Sequence, residues 1–273
     1  MVGCAGGNAE PRKAVRAVFS LQRLIEGEIN FPASFASVCE RPYGKLFYNT
    51  DNPGSFDSNH AVFLNAELPP EQAVEELILF YRLRNLIPRV YPAYREGERE
   101  RLFPVLARRG FEIQRLDNRV YVRRDPPRLR PGKKLKVVRA RSMDRAIGEI
   151  IRADDGGDWN VTVLNRQLET DNLHLLVGYA GGEPVCLCSL KVMDGLARLE
   201  DVITRRDCRG RGYGRELIRA VLDYHDRALS PGGHLYLWAS DPTAIRIYQE
   251  AGFIELKAGL EPWNAWYAPV GRR

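Results

Sequence analysis

The stretch Arg209-Gly-Arg-Gly-Tyr-Gly214 decides how the second half of this 273-residue chain is read, because three alternating glycines lie between a strand pattern and a helix pattern. At such a junction backbone amides are free to meet a phosphate, and the helix dipole adds partial positive charge. Two phosphate-binding templates fail on it. A Walker loop requires Gly-Lys-Ser/Thr, but Arg215 and Glu216 follow Gly214; a dinucleotide turn requires GxGxxG, whereas the glycines here are Gly210, Gly212 and Gly214. What fits is Arg-x-x-Gly-x-Gly, carried by Arg209, Gly212 and Gly214.

Upstream of this turn, residues 135–140 read as a strand, 143–153 as a helix and 173–180 as a strand closed by Gly181-Gly182. Strands over 185–192 and 197–204, joined through 193–195, extend it into an antiparallel meander. Downstream, Leu217, Ile218, Val221, Leu222 and Leu229 share one helical face until Ser230-Pro-Gly-Gly233 stops it. A buried strand over 235–239 leads to Asp241-Pro242, an N-cap and a proline at the first helical position, and the helix ends before Gly252. Residues 253–257 and 263–268 read as two closing strands, giving a mixed, mostly antiparallel sheet flanked by helices, an α/β (α+β) domain.

On these residues the chain resembles the GNAT superfamily of acetyl-CoA-dependent N-acyltransferases. Leu199-Glu-Asp-Val-Ile-Thr204 is similar to the family's central strand, residues 209–227 to its pyrophosphate loop and helix, and Ala244-Ile-Arg-Ile-Tyr-Gln-Glu-Ala-Gly-Phe253 to its final helix with the Tyr-x-x-x-Gly-Phe ending. The resemblance implies acetyl-CoA as co-substrate and no metal. It places the pyrophosphate on the turn formed by Arg209, Gly210, Arg211, Gly212, Tyr213, Gly214 and Arg215, and the pantetheine along Val202 and Thr204 as an added strand. Two negative charges held without bulky side chains account for glycines flanked by arginine.

Acetyl transfer to an amine needs a neutral nucleophile and a proton for the leaving thiolate. The resemblance implies Tyr248 as that acid, and a phenol of pKa ~10 is protonated at neutral pH. Glu200 falls where polyamine acetyltransferases of the superfamily carry a Glu in a similar Leu-Glu-Asp run, which implies binding or deprotonating the amine; a salt bridge to Arg198 or Arg205 is the competing reading. Asp154, Asp155, Asp158 and Trp159 read as acceptor contacts or as a solvated acidic loop. His174, His225 and His234 have no partner at catalytic spacing, and Cys186 and Cys188 share a strand face as core residues.

In the first half, Gly110-Phe111 repeats Gly252-Phe253 at an offset of 142 residues. That offset sets residues 61–64 on the central strand, 71–86 on the following helix, Glu67 on Arg209, Pro70 on Gly212, Gln72 on Gly214 and Leu106 on Tyr248. The expectation is a tandem: a degenerate GNAT-like domain over 1–126, a linker over 127–134 rich in proline and basic residues, and a catalytic domain over 135–273. The polar, aromatic segment 47–60 reads as an acceptor-lining loop or, preferably, as a plain surface loop.

Composition bounds the rest. Apolar residues make up 44%, enough for two cores, and the net charge of +6 is too diffuse to call for nucleic acid. Five cysteines, an odd number without a CxxC pair, read as reduced thiols in a cytoplasmic protein, with only three residues ahead of Cys4 and no run long enough to span a membrane. The expected function is N-acetyl transfer from acetyl-CoA to a primary amine of a small molecule or protein by direct attack. The alternatives are a tandem acyltransferase similar to mycothiol synthase and a non-catalytic acyl-CoA-binding regulatory module. The acceptor's identity and the oligomeric state stay open.

Overall fold

The computed structural model describes residues 19–268 apart from 156, 194 and 230–232, so Cys4 lies outside the described residues. The second half follows the expected order: β7 (Lys136–Ala140), α4 (Arg145–Asp155), β8 (Leu173–Ala180), β9 (Glu183–Met193), β10 (Leu196–Thr204), α6 (Tyr213–Tyr224), β11 (His234–Ala239), α7 (Pro242–Glu250) and β12 (Phe253–Glu255). One helix was not legible: α5 (Trp159–Leu168) occupies the segment read as a loop. In the first half, α1 (Leu21–Asn30), β1 (Ser37–Arg41), β2 (Gly44–Tyr48), β3 (His60–Phe63), α2 (Pro70–Arg82), β4 (Arg89–Tyr91), α3 (Glu98–Arg108) and β5 (Phe111–Arg115) repeat the same succession.

The two remaining strands change sides. β13 (Trp263–Tyr267), expected to close the second sheet, lies between β4 and β5 of the first, whose order is β1-β2-β3-β4-β13-β5. Conversely β6 (Arg119–Arg123) lies between β11 and β12 of the second, whose order is β12-β6-β11-β10-β9-β8-β7. Period-2 alternation identifies a strand but not the sheet that accepts it. Here burial decides: Trp263 and Ala265 fill the first core, while Val120, Tyr121 and Val122 are covered on both faces, as a strand with neighbours on either side requires.

The exchange is pinned at two equivalent corners. Gly252, at φ +91°, ends α7, and its carbonyl accepts from the backbone N–H groups of Arg124 and Asp125, each at 3.0 Å, just after β6. Gly110, at φ +84°, ends α3, and its carbonyl accepts from Ala268 N–H at 3.2 Å just after β13. At Gly252 an added Cβ would meet the Asp125 carbonyl oxygen at 2.1 Å, so only glycine closes this corner.

The stretch 127–134 is a packed strap rather than a free spacer. Leu129 joins the second core, Arg128 N–H donates to Glu250 O at 2.7 Å, and Glu216 Oε2 accepts from the N–H groups of Lys134 and Leu135. Cys186 and Cys188 sit in the core of the second sheet, where burial pushes the Cys186 thiol up to about 12. No helix among the described residues is long and apolar enough to cross a membrane.

Candidate active site

The site begins with a fault in the second sheet. β10 and β11 pair in parallel only at Leu196–His234, Ala197–Leu235 and Arg198–Tyr236, and then diverge. On its other edge β10 slips register against β9 between Glu200 and Ile203, where Asp201 adopts φ +51°. Such a bulge twists the strand away from its neighbour. The carboxyl-terminal half of β10 therefore offers backbone to an open cleft rather than to β11.

At the end of that edge stands the glycine turn. Gly210 and Gly212 have φ +76° and +86°, conformations that exclude most side chains, and Gly212 is the N-cap of α6. Gly214 serves differently: a Cβ there would rest against Thr204 Oγ1 at 3.6 Å. The turn, Val202, Thr204 and the helix α7 enclose a cavity of about 580 Å³ lined by Arg209, Gly210, Gly212, Tyr213, Gly214 and Arg215 among others. Arg209 donates to Thr204 O and to Asp154 Oδ1, each at 3.0 Å, which fixes the guanidinium at the strand end. Arg215 pairs with Glu250, and Arg211 donates to Asp207 O at 3.0 Å. Lys134 of the strap, which sequence reasoning passed over, donates to Arg211 O at 3.0 Å and brings a further cation to the turn.

A second cavity, about 280 Å³, opens at the inner end of the first, and both are lined by Val202 and Tyr248. Its other walls include Phe31, Phe35, Asp57 and Asn118 from the first half and Trp159, Asn160, Lys191, Arg198, Glu200, Asp201 and Trp238 from the second. A neighbouring hollow of about 240 Å³ shares Phe31, Asp57, Asn118, Arg198 and Trp238 with it. A larger space of about 780 Å³ between α1 and residues 167–173 touches neither Tyr248 nor the glycine turn.

The two expected catalytic residues thus meet around one cavity, in different states. Tyr248 is 8% exposed, its ring packs near Phe253, and burial pushes the phenol above its ordinary pKa, so it is fully protonated near neutral pH. Glu200 is engaged at both oxygens, by Lys191 and by Arg198. Burial raises its pKa, but Arg198 and Lys191 outweigh that and hold the carboxyl below its ordinary value. Arg198 also donates to Glu28 Oε2 at 2.9 Å, and Tyr236 OH donates to Glu28 Oε1 at 2.7 Å. Asp201 accepts from Ser189 Oγ at 2.5 Å and from Asn160 Nδ2 at 3.2 Å.

The segment 47–60 is not a plain surface loop: its turn residues and Phe56 are exposed, but most of its polar side chains turn inward. Asn49, Asn52, Ser55, Ser58, Asn59 and His60 are buried, and Asn52 Nδ2 donates to Trp159 O at 2.9 Å, docking the segment on α5. Asp57, carried by it, lines the 280 Å³ cavity and accepts from Tyr91 OH at 3.1 Å. Asp158 pairs with Arg152, and Trp159 joins the cavity wall.

A splayed parallel pair, a glycine turn at a helix N-terminus and a tyrosine at the junction of two cavities meet in one cleft of the second half. Residues 145–253 match the sequence model of the Acetyltransferase (GNAT) family, so this stretch is a GNAT acyltransferase domain. Among solved structures, a GCN5-related N-acetyltransferase from Kribbella flavida is similar at 15% identity over 91% of this chain and 95% of its own, with TM-score 0.64. A functionally unknown conserved protein from Staphylococcus epidermidis shares 14% identity over 85% and 94%, with TM-score 0.60. A tandem GNAT protein from the clavulanic acid biosynthesis pathway shares 14% identity over 78% and 76%, with TM-score 0.52. These likenesses extend through both halves, so the fold is a two-domain GNAT-like one. No curated protein matches significantly.

Proposed function

We propose that the chain transfers an acetyl group from acetyl-CoA to a primary amine by direct attack, with acetyl-CoA held by the second half alone. The single observation that carries this reading is the shared wall of the two cavities: Val202 and Tyr248 stand where a thioester lying in the first would meet a nucleophile in the second. The pyrophosphate lies on the turn 209–215, and the open edge of β10 at Val202 and Thr204 pairs with the pantetheine amides. The amine nitrogen attacks the thioester carbonyl carbon, a C–N bond forms and the C–S bond breaks. Tyr248 donates its proton to the departing sulfur and is reprotonated by the proton that the new amide nitrogen gives up, through water. Glu200, held ionised by Lys191 and Arg198, supplies fixed charge beside the acceptor.

Incubation with acetyl-CoA and a panel of amines, followed as free thiol, tests the reading. Thiol release with amide formation supports it. Acetyl-CoA binding without turnover of any amine favours the acyl-CoA-binding module instead.

A further inference from the structure

The acceptor cavity is built by both halves of the chain, and the first half contributes its least committed carboxylate. Of the three acids that line it, Glu200 is bound by two cations and Asp201 accepts at both oxygens from Ser189 and Asn160. Asp57 accepts at Oδ1 from Tyr91 and has no ion-pair partner among the described residues. Its position is imposed: Ser55, Ser58 and Asn59 bond to one another and to Asn52 O within the segment, so the 47–60 loop is folded on itself and docked on α5 before any ligand arrives.

Resting on the transferase reading above, we propose that Asp57 is the catalytic carboxylate that receives the ammonium of a small primary amine in the cavity between the halves and takes its proton. The charge of the walls agrees. Across this cavity and the adjoining hollow, Glu28, Asp57, Glu200 and Asp201 face Lys191 and Arg198, an excess of acid that a monocation reduces. The hollow beyond adds Tyr91, Tyr94 and Trp263 to the shared Trp238, rings suited to the body of an organic cation. The groups facing Asp57 are Glu200, Arg198 and Lys191 across the cavity, Tyr91 and Arg89 on β4, and His60 on β3, which burial holds neutral with a pKa of about 3. Burial, then the charge of Glu200, raises the Asp57 carboxyl above its ordinary value against Arg198, Lys191 and the Tyr91 hydrogen bond. A carboxylate shifted in that direction is a better proton acceptor near neutral pH. The proton leaves the ammonium for Asp57, the free amine attacks, and Asp57 later returns the proton to solvent.

The test uses the whole chain with acetyl-CoA and three probes, methylamine, tyramine and spermidine, read as kcat against pH and as acetyl-CoA affinity. Asp57→Asn should lower kcat about 100-fold or more with acetyl-CoA affinity unchanged, and should abolish the acidic rising limb. Tyr91→Phe removes the hydrogen bond that stabilises the carboxylate and keeps the ring, so it should move that limb to higher pH. Asp57→Asn within threefold of wild type, or an unmoved limb in Tyr91→Phe, would overturn the assignment while leaving the transferase reading intact. If Asp57→Asn fails to bind acetyl-CoA, the Tyr91→Phe limb decides. No turnover of any probe by the wild-type chain would overturn the transferase reading and this inference together.

Discussion

The cleft between β10 and α6 and its counterpart between β3 and α2 share a skeleton but present opposite chemistry. Both begin as a parallel strand pair, β10 with β11 and β3 with β4, and both lead by a short loop into an amphipathic helix. In the second half of the chain the helix starts on Gly212, a residue that carries a backbone N–H. In the first half of the chain the cap and first residue of α2 are Pro69 and Pro70, which have no N–H to offer an anion. Arg101 of α3 also donates to the carbonyls of Asn65 and Leu68 at 3.3 Å each, in the loop that leads into α2. The comparison teaches that a fold can keep its sheet and helices while a handful of backbone N–H groups differ at the helix start, the change that on the proposed reading leaves one acetyl-CoA site. On the proposed reading, the first half serves as wall of the acceptor cavity and not as a second active site.

The largest effect that would break this contrast is expected at the turn. Gly212→Val forces a β-branched residue to φ +86° at the head of α6, and acetyl-CoA affinity should fall at least ~100-fold in calorimetric titration. Surviving affinity would mean that the pyrophosphate lies elsewhere. Next, Tyr248→Phe keeps the ring packing but removes the proton, and kcat should fall roughly 10- to 1000-fold with acetyl-CoA binding unchanged. An unchanged kcat where chemistry is rate-limiting removes Tyr248 from the proton path.

A third prediction sharpens the contrast in stability. Each half buries a neutral imidazole, His60 with a pKa pushed down to about 3 and His174 to about 4, mainly by desolvation. Both folded values lie below the unfolded one, so neither histidine affects stability above pH ~6.5, and each lowers it as pH falls because the unfolded chain binds the proton first. The loss at pH 5 should be about 2 kcal/mol per site, seen as a lower urea midpoint than at pH 7. His225 is buried with its pKa lowered in the same direction, and His174→Gln should remove only the share of His174. The smallest effect is at Arg101→Ala, which should cost about 1 kcal/mol through its two carbonyl contacts and create no second acetyl-CoA site, because Pro69 and Pro70 remain.

Much of this was legible in the chain because it rests on local signals. The glycine turn, the Asp241-Pro242 helix start and the Gly252 stop each fix a backbone conformation, and the 142-residue offset carries α6 onto α2, α7 onto α3 and β12 onto β5 within a residue or two. The exchange of β6 and β13 was not legible, since alternation in Arg119–Arg123 and Trp263–Tyr267 is satisfied in either sheet and only packing chooses. Nor was the burial of 47–60, a polar segment that composition assigns to the surface. Its asparagines and serines satisfy one another's hydrogen bonds, which lets them go inside. The state of Glu200 was half legible: Arg198 was named as a partner, but Lys191 comes from β9, and register alone brings it alongside. Asp57 was hidden for the same reason as its loop.

The central claim, one working cleft and one whose helix starts on prolines, is tested most directly by calorimetric titration of acetyl-CoA into the whole chain. A stoichiometry near one, reduced to none in Gly212→Val and unchanged in Arg101→Ala, is the result expected. Two molecules bound per chain, or one that survives Gly212→Val, would contradict it.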